Sequence, residues 1–243
     1  MKYKVSAIVP AYNEEKKITG VLRVLAASEY IHEVICVNDN SSDATKQIAE
    51  SISGVKVVNL DTNYGKAYAV AKGTMEAKGD IIVFIDSDLT GLTSKSIALL
   101  IEPLLDAHYD AAIGYRSGKM DKLIFMPLSG ERAYFKRDLL PHINSIKDKG
   151  YGLELYLNNA FKDKKVKLLA LKGVQHTMKH KKHSYTNAAK GTMIEFVEVF
   201  SEIFKQKNPL AFFMNAYLYN FYLKTPKKKI AKNRLQFLHF FEY

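Results

Sequence analysis

Two carboxylates separated by one residue, Asp86-Ser87-Asp88, directly follow an apolar run at 81–85. A buried strand that ends in two aspartates presents hard oxygen ligands. These suit Mg2+ or Mn2+ and leave part of the coordination sphere to phosphate oxygens and water. A metal held there would neutralise the charge that develops on a departing nucleoside diphosphate. Aspartates also open turns after strands, so the pair alone decides little.

The elements that must position the pair are legible in the first 115 residues. Runs at 6–10, 34–38, 55–60, 81–85 and 111–115 are rich in Val and Ile and bounded by polar residues or glycine. Between them, segments 18–27, 43–52, 67–77 and 94–106 repeat apolar residues at three- and four-residue spacing. The pattern is β-α-β-α, and near-continuous apolar strands imply an α/β fold whose mostly parallel sheet is covered by helices on both faces. Ligands of such sheets bind beyond the carboxyl ends of the strands. There the sequence places Tyr12-Asn13-Glu14, Asn38-Asp39, Asn63-Tyr64-Gly65-Lys66, Asp86-Ser87-Asp88 and Tyr115-Arg116. A dehydrogenase would need a glycine-rich turn after the first strand, and this chain has Ala11-Tyr12-Asn13-Glu14-Glu15 instead. A nucleotidyltransferase is disfavoured too, because that turn lacks a glycine-rich, arginine-containing loop.

Beyond residue 120 the pattern changes. An apolar stretch at 123–128 leads to Ser129-Gly130-Glu131-Arg132 and a helix start; Gly150-Tyr151-Gly152 then opens a helix carrying Glu154, and a strand at 166–171 delivers His176. Segment 188–223 reads as helical, interrupted near Asn208-Pro209, and is followed by a basic run at 227–234. The expected organisation is a catalytic domain over 1–185, divided at about 120 into donor and acceptor halves, with a helical region over 186–243.

Val9-Pro10-Ala11-Tyr12-Asn13-Glu14-Glu15, Val37-Asn38-Asp39-Asn40-Ser41-Ser42-Asp43, Asn63-Tyr64-Gly65-Lys66 and Asp86-Ser87-Asp88 fall in the order and spacing of family 2-type glycosyltransferases of the GT-A fold. The chain resembles that family over its first half. The resemblance implies that Pro10, Ala11, Tyr12 and Glu14 line the nucleoside pocket and that Asp39 hydrogen-bonds the base. Gly65 and Lys66 would approach base or diphosphate, and Asp86 and Ser87 would complete the donor site. Asn38 departs from a pattern that often has two acidic residues there, which loosens the expected base preference.

The second half is similar to glucosyl-3-phosphoglycerate synthases and relatives at Pro127-Leu128-Ser129-Gly130-Glu131-Arg132-Ala133, at Gly150-Tyr151-Gly152-Leu153-Glu154 and at Gly173-Val174-Gln175-His176. That likeness implies an acceptor loop in which Gly130 permits a close backbone approach and Arg132 clamps an anionic acceptor. Glu154 would face acceptor or sugar hydroxyls, with Glu131 as the other candidate base if the reaction inverts configuration. His176 is expected as a metal ligand beside Asp86 and Asp88, since its strand would return to the sheet edge bearing Asp88. His180 and His183, among lysines, read as solvated surface. Arg116 resembles the Gly-x-Arg of polyprenyl-phosphate sugar transferases, with a structural ion pair as the alternative.

Charge sharpens the acceptor expectation. Of the net +11, residues 1–120 carry 13 Lys/Arg and 15 Asp/Glu, or −2, while residues 121–243 carry 23 and 10, or +13. The expected partners are a UDP- or GDP-sugar and an anionic acceptor, either a phosphorylated or carboxylated small molecule or a polyprenyl phosphate. A catalytically silent nucleotide-binding module is the competing class. No nucleic-acid-binding motif accompanies the basic residues. The aromatic stretch at 212–222, with Lys224 and Lys227–Lys229 beside it, is suited to a membrane surface, to the catalytic domain or to a second subunit such as a homodimer partner. One cysteine, no signal-peptide pattern and no run of about 20 apolar residues lead to the expectation of a cytoplasmic protein, peripheral to the inner membrane face if the acceptor is a lipid.

Overall fold

Strands β1 (Val5–Ala11), β2 (Glu33–Asn38), β3 (Val55–Asn59) and β4 (Ile81–Phe84) appear where the apolar runs predict them. The computed structural model describes residues 3–116 and 128–176, apart from the side chains of Arg116, Tyr151 and His176. The expectations for 186–243, the run at 123–127, the basic and aromatic stretches, His180 and His183 lie outside the described residues. After a two-residue strand β5 (Leu89–Thr90) come β6 (Ala111–Arg116), β7 (Arg132–Phe135), β8 (Val166–Leu171) and β9 (Gln175–His176). Seven of these form one sheet in the order β3-β2-β1-β4-β7-β6-β8, and β5 pairs separately with β9.

Helices α1 (Ile18–Ala26), α2 (Thr45–Glu50), α3 (Lys66–Glu76) and α4 (Ser94–Leu105) connect the first strands, and α5 (Leu153–Ala160) follows later. Strand residues alternate between two cores with the two-residue period of a pleated strand. Val5, Ala7, Val9, Val34, Cys36, Ile81 and Val83 face α1 and α4, packing on Leu22, Leu25, Ile97 and Leu100. Ile8, Ile35, Val37, Ile82 and Phe84 face the other side, against Val70 of α3 and Leu153 and Leu157 of α5. Both faces are therefore dry, which is why these strands read as unbroken apolar runs. Burial also pushes the Cys36 thiol up to about 12, as expected of a core residue.

Strand β7 is the element the sequence did not announce. Its apolar part, Ala133-Tyr134-Phe135, is too short to show a period, and its partners are distant: it pairs antiparallel with β4 and with β6. The other strands of the sheet run parallel to one another. An antiparallel strand presents its amino end at the edge where its neighbours present their carboxyl ends. The residues just before β7 are thereby delivered to the edge that carries Asp86.

Candidate active site

Phe84 of β4 pairs with Arg132 of β7. Continuing that register by two residues sets Asp86 opposite Gly130, and the two do meet. A Cβ added to Gly130 would lie 2.5 Å from Oδ2 and 2.7 Å from Oδ1 of Asp86. Glycine is required here by the close approach of backbone to carboxylate.

On its other side, Asp86 accepts the ammonium of Lys66, Nζ to Oδ1 at 2.7 Å, and the same Nζ reaches Glu154 Oε1 at 2.9 Å. Lys66 is the first residue of α3, and Glu154 stands in the first turn of α5. Three elements far apart in sequence thus converge on one cation. Partial burial alone would lower the Lys66 pKa, but the Asp86 and Glu154 carboxylates outweigh it and raise it above the ordinary lysine value. Asp86 and Glu154 therefore both lean on one ammonium at this edge. The oxygen donors of Asp86 and Asp88 are of the type that a hard divalent cation takes. Among the described residues no three His, Cys, Asp or Glu side chains form a cage of their own. The backbone of His176 pairs with Leu89, the residue after Asp88. The return of that strand to the Asp88 edge, expected from sequence, is therefore observed for the main chain.

The side that the sequence leads one to expect for the nucleoside is built from two stitched loops. The Asn13 N–H donates to Ser41 Oγ at 3.0 Å, and Ser42 N–H donates to Asn13 Oδ1 at 2.8 Å. Glu14 N–H reaches Thr45 Oγ1 at 2.7 Å, Glu15 N–H reaches Asp43 Oδ2 at 3.2 Å, and Ala44 N–H returns to Glu15 Oε2 at 3.1 Å. Asn13 sits at φ +54°, a left-handed conformation that asparagine tolerates. Pro10 and Ala11 are buried in β1, and Tyr12 and Tyr64 stand exposed. The Asn38 amide is spent on structure, donating to Asn59 Oδ1 at 3.1 Å and accepting from Ser41 N–H at 3.2 Å. Asp39 is buried and receives the N–H groups of Tyr64 and Gly65, both at 2.8 Å.

Asp43 gives these loops a pH limit. Burial works against its charge, but hydrogen bonds from Thr45 and Glu15 lower its carboxyl below the ordinary 3.8. A depressed folded-state pKa contributes stability that is present above the unfolded value and lost as pH falls through the folded one. The amide resonance of Thr45, which donates to Asp43 Oδ1, should therefore report loss of this contact only below about 3.8. Loosening already at pH 5 would contradict this assignment.

Arg132 does not stand where the sequence expectation put it. It is 1% exposed, with Nε donating to Ser129 O at 2.6 Å and Nη1 to Asn158 Oδ1 at 2.7 Å and Tyr134 Oη at 3.2 Å. Because β7 carries it into the sheet, the guanidinium braces the loop under Gly130 rather than offering a fork to an acceptor. Glu131 is likewise buried and accepts from Ser129 Oγ at 2.8 Å, while that hydroxyl also contacts the Gly114 carbonyl. Sequence reading missed Asn158. It lies four residues after Glu154 on α5, hence on the same helix face, and that spacing was the available signal. Arg116 ends β6 at the same sheet edge.

The family profile described as Glycosyl transferase family 2 matches residues 6–164, which include every one of these site elements except β9. The chain belongs to glycosyl transferase family 2. Among curated relatives of this family 2 chain is the dodecaprenyl-phosphate galacturonate synthase of Rhizobium johnstonii, 29% identical over 68% of this chain and 51% of that protein. Another is the dolichol-phosphate mannosyltransferase of Pyrococcus furiosus, 34% identical over 60% and 44%. The chain thus spans about half the length of these curated relatives. A solved structure, the glucosyl-3-phosphoglycerate synthase of Mycobacterium tuberculosis with Mn2+, UDP-glucose and phosphoglyceric acid, superposes with TM-score 0.64 at 22% identity over 82% of this chain and 79% of that one. At that identity the likeness shows the fold, GT-A.

Proposed function

We propose that this family 2 glycosyltransferase moves a sugar from a UDP- or GDP-sugar, accompanied by Mg2+ or Mn2+, to an acceptor bearing a phosphate or carboxylate. The observation that carries the reading is the Lys66 ammonium bridging Asp86 and Glu154 at the carboxyl edge of the sheet. Asp86 and Asp88 would hold the metal, with His176 on the paired strand β9 as a further ligand. The bound metal supplies charge neutralisation at the departing diphosphate. This chain's own residues do the rest. The stitched 12–15 and 41–45 loops form a rigid floor for the nucleoside, Asp39 hydrogen-bonds its base, and Gly130 lets the acceptor loop approach Asp86.

In the reaction the bond from the sugar's anomeric carbon to the diphosphate breaks, and one from that carbon to an acceptor oxygen forms. If the acceptor atom is a phosphate or carboxylate oxygen, no proton must be removed, and Glu154 serves by holding Lys66. If it is a hydroxyl, Glu154 is the candidate base, since Glu131 is buried beneath the loop. The anionic acceptor no longer rests on Arg132. It rests on the basic second half of the chain and on the relatives, whose names carry polyprenyl phosphates. These relatives support a lipid-phosphate acceptor as a second reading. Among the described residues no helix is long and apolar enough to cross a membrane.

The test is transfer of label from UDP- and GDP-sugars, with Mn2+, to phosphoglycerate and to a short-chain polyprenyl phosphate in parallel. Product with either acceptor supports the proposal and chooses between its two forms. Tight nucleotide binding without transfer or donor hydrolysis would favour the silent module instead.

A further inference from the structure

We propose that Asp39 is a positioning residue for Lys66, so that the carboxylate facing the donor base also sets the cation that holds Asp86 and Glu154. This rests on the donor-site reading above and extends it.

Asp39 directly follows β2, and its two oxygens each take one N–H from consecutive residues, Tyr64 and Gly65, at 2.8 Å and 2.8 Å. The next residue is Lys66, whose Nζ makes the 2.7 Å and 2.9 Å contacts with Asp86 and Glu154. Gly65 has φ +88°, and a Cβ there would meet nothing within 4 Å, so its glycine serves the turn's conformation and not its space. Conformation and anchoring therefore come from different residues. Gly65 allows the chain to turn into α3, and Asp39 fixes where that turn lies. The carboxylate also sits at the amino end of the 11-residue helix α3, where negative charge is favoured.

Each carboxylate oxygen has two lone-pair sites, and the loop uses one on each. The remaining sites can accept from a base N–H without releasing the loop. A donor base bound to Asp39 would then share a carboxylate with the anchor of Lys66. Base recognition and the charge balance at the diphosphate become linked through two peptide units. A purely base-reading Asp39 would make no such link.

The test reads Lys66 directly, by rate of acylation with a water-soluble acetylating ester followed by peptide mass spectrometry on the full chain without nucleotide. In Asp39→Asn, Lys66 should acylate roughly ten-fold faster, the scale of one lost charge-assisted hydrogen bond. Lys56 and Lys72, both paired with Glu76, should not change. Gly65→Ala leaves the Asp39 carboxylate intact and strains only the turn, so it should also accelerate Lys66. An unchanged Lys66 rate in Asp39→Asn would overturn the proposal, as would an equal rise at Lys56 and Lys72.

A separate arm adds UDP or GDP with Mn2+ to the wild type and looks for protection of Lys66. Protection with no effect of Asp39→Asn would leave the donor reading standing and remove the coupling. A variant effect without protection by either nucleotide would keep the coupling and remove the donor reading.

Discussion

Gly130→Ala is expected to lower the transfer rate by about two decades while the protein stays folded. The new Cβ would lie 2.5 Å from Asp86 Oδ2, and its three nearest neighbours, all within 2.8 Å, are atoms of that one carboxylate. The carboxylate must therefore swing away, and with it goes its 2.7 Å contact with Lys66. A displacement of roughly 1 Å at a reacting site costs about a hundred-fold in rate. The fold should tolerate the change, because the obstacle is a side chain at the sheet edge and not core packing. Steady-state kinetics with circular dichroism on the same sample checks both halves. Full activity, or an unfolded variant, would contradict the placement of Gly130 against Asp86.

Arg132→Ala should act in the opposite sense, as a stability variant first. The side chain is 1% exposed and holds Ser129 O, Asn158 Oδ1 and Tyr134 Oη. Its removal leaves those groups without that donor and opens a cavity between β7 and α5. Only the Tyr134 hydroxyl among them is fully buried, and with the lost packing of the side chain a cost of about 2–4 kcal/mol is expected. For a domain of this size that lowers Tm by roughly 10 °C. An acceptor clamp would instead raise the acceptor KM and leave Tm unchanged. Thermal denaturation of the purified variant distinguishes the two, and an unshifted Tm would return Arg132 to the acceptor.

The contrast between these two residues shows what the sequence disclosed. The parallel strands and α1, α3 and α4 were legible because Val5, Ala7, Val9 and Ile8 alternate between two dry cores, and because each of these helices repeats its apolar residues over at least two turns. Asp86, Lys66 and Glu154 were identified as site residues, and they meet at 2.7 Å and 2.9 Å. Their mutual ion pairing was not foreseen, since residues 66, 86 and 154 come together only through tertiary packing. Arg132 was misread for a physical reason. Beside a glycine in a loop motif an arginine reads as a solvent-facing fork, and only the antiparallel insertion of β7 turns it inward. The amide of Asn38, a residue expected at the donor site, ties β2 to Asn59 and Ser41, contacts that its spacing in the sequence does not show.

The central claim is that Asp86 and Asp88 hold a divalent cation against a donor diphosphate. It is tested most directly by calorimetric titration of UDP and GDP into the wild type and Asp88→Ala, each with Mn2+ and with EDTA. The wild type should bind one of the two nucleotides with Mn2+ and lose at least about ten-fold in affinity in EDTA, because the diphosphate then meets the Asp86 and Asp88 carboxylates with no divalent cation between them. Asp88→Ala should bind as weakly with Mn2+ as the wild type does without it. Equal affinity of the wild type in Mn2+ and in EDTA would contradict the claim.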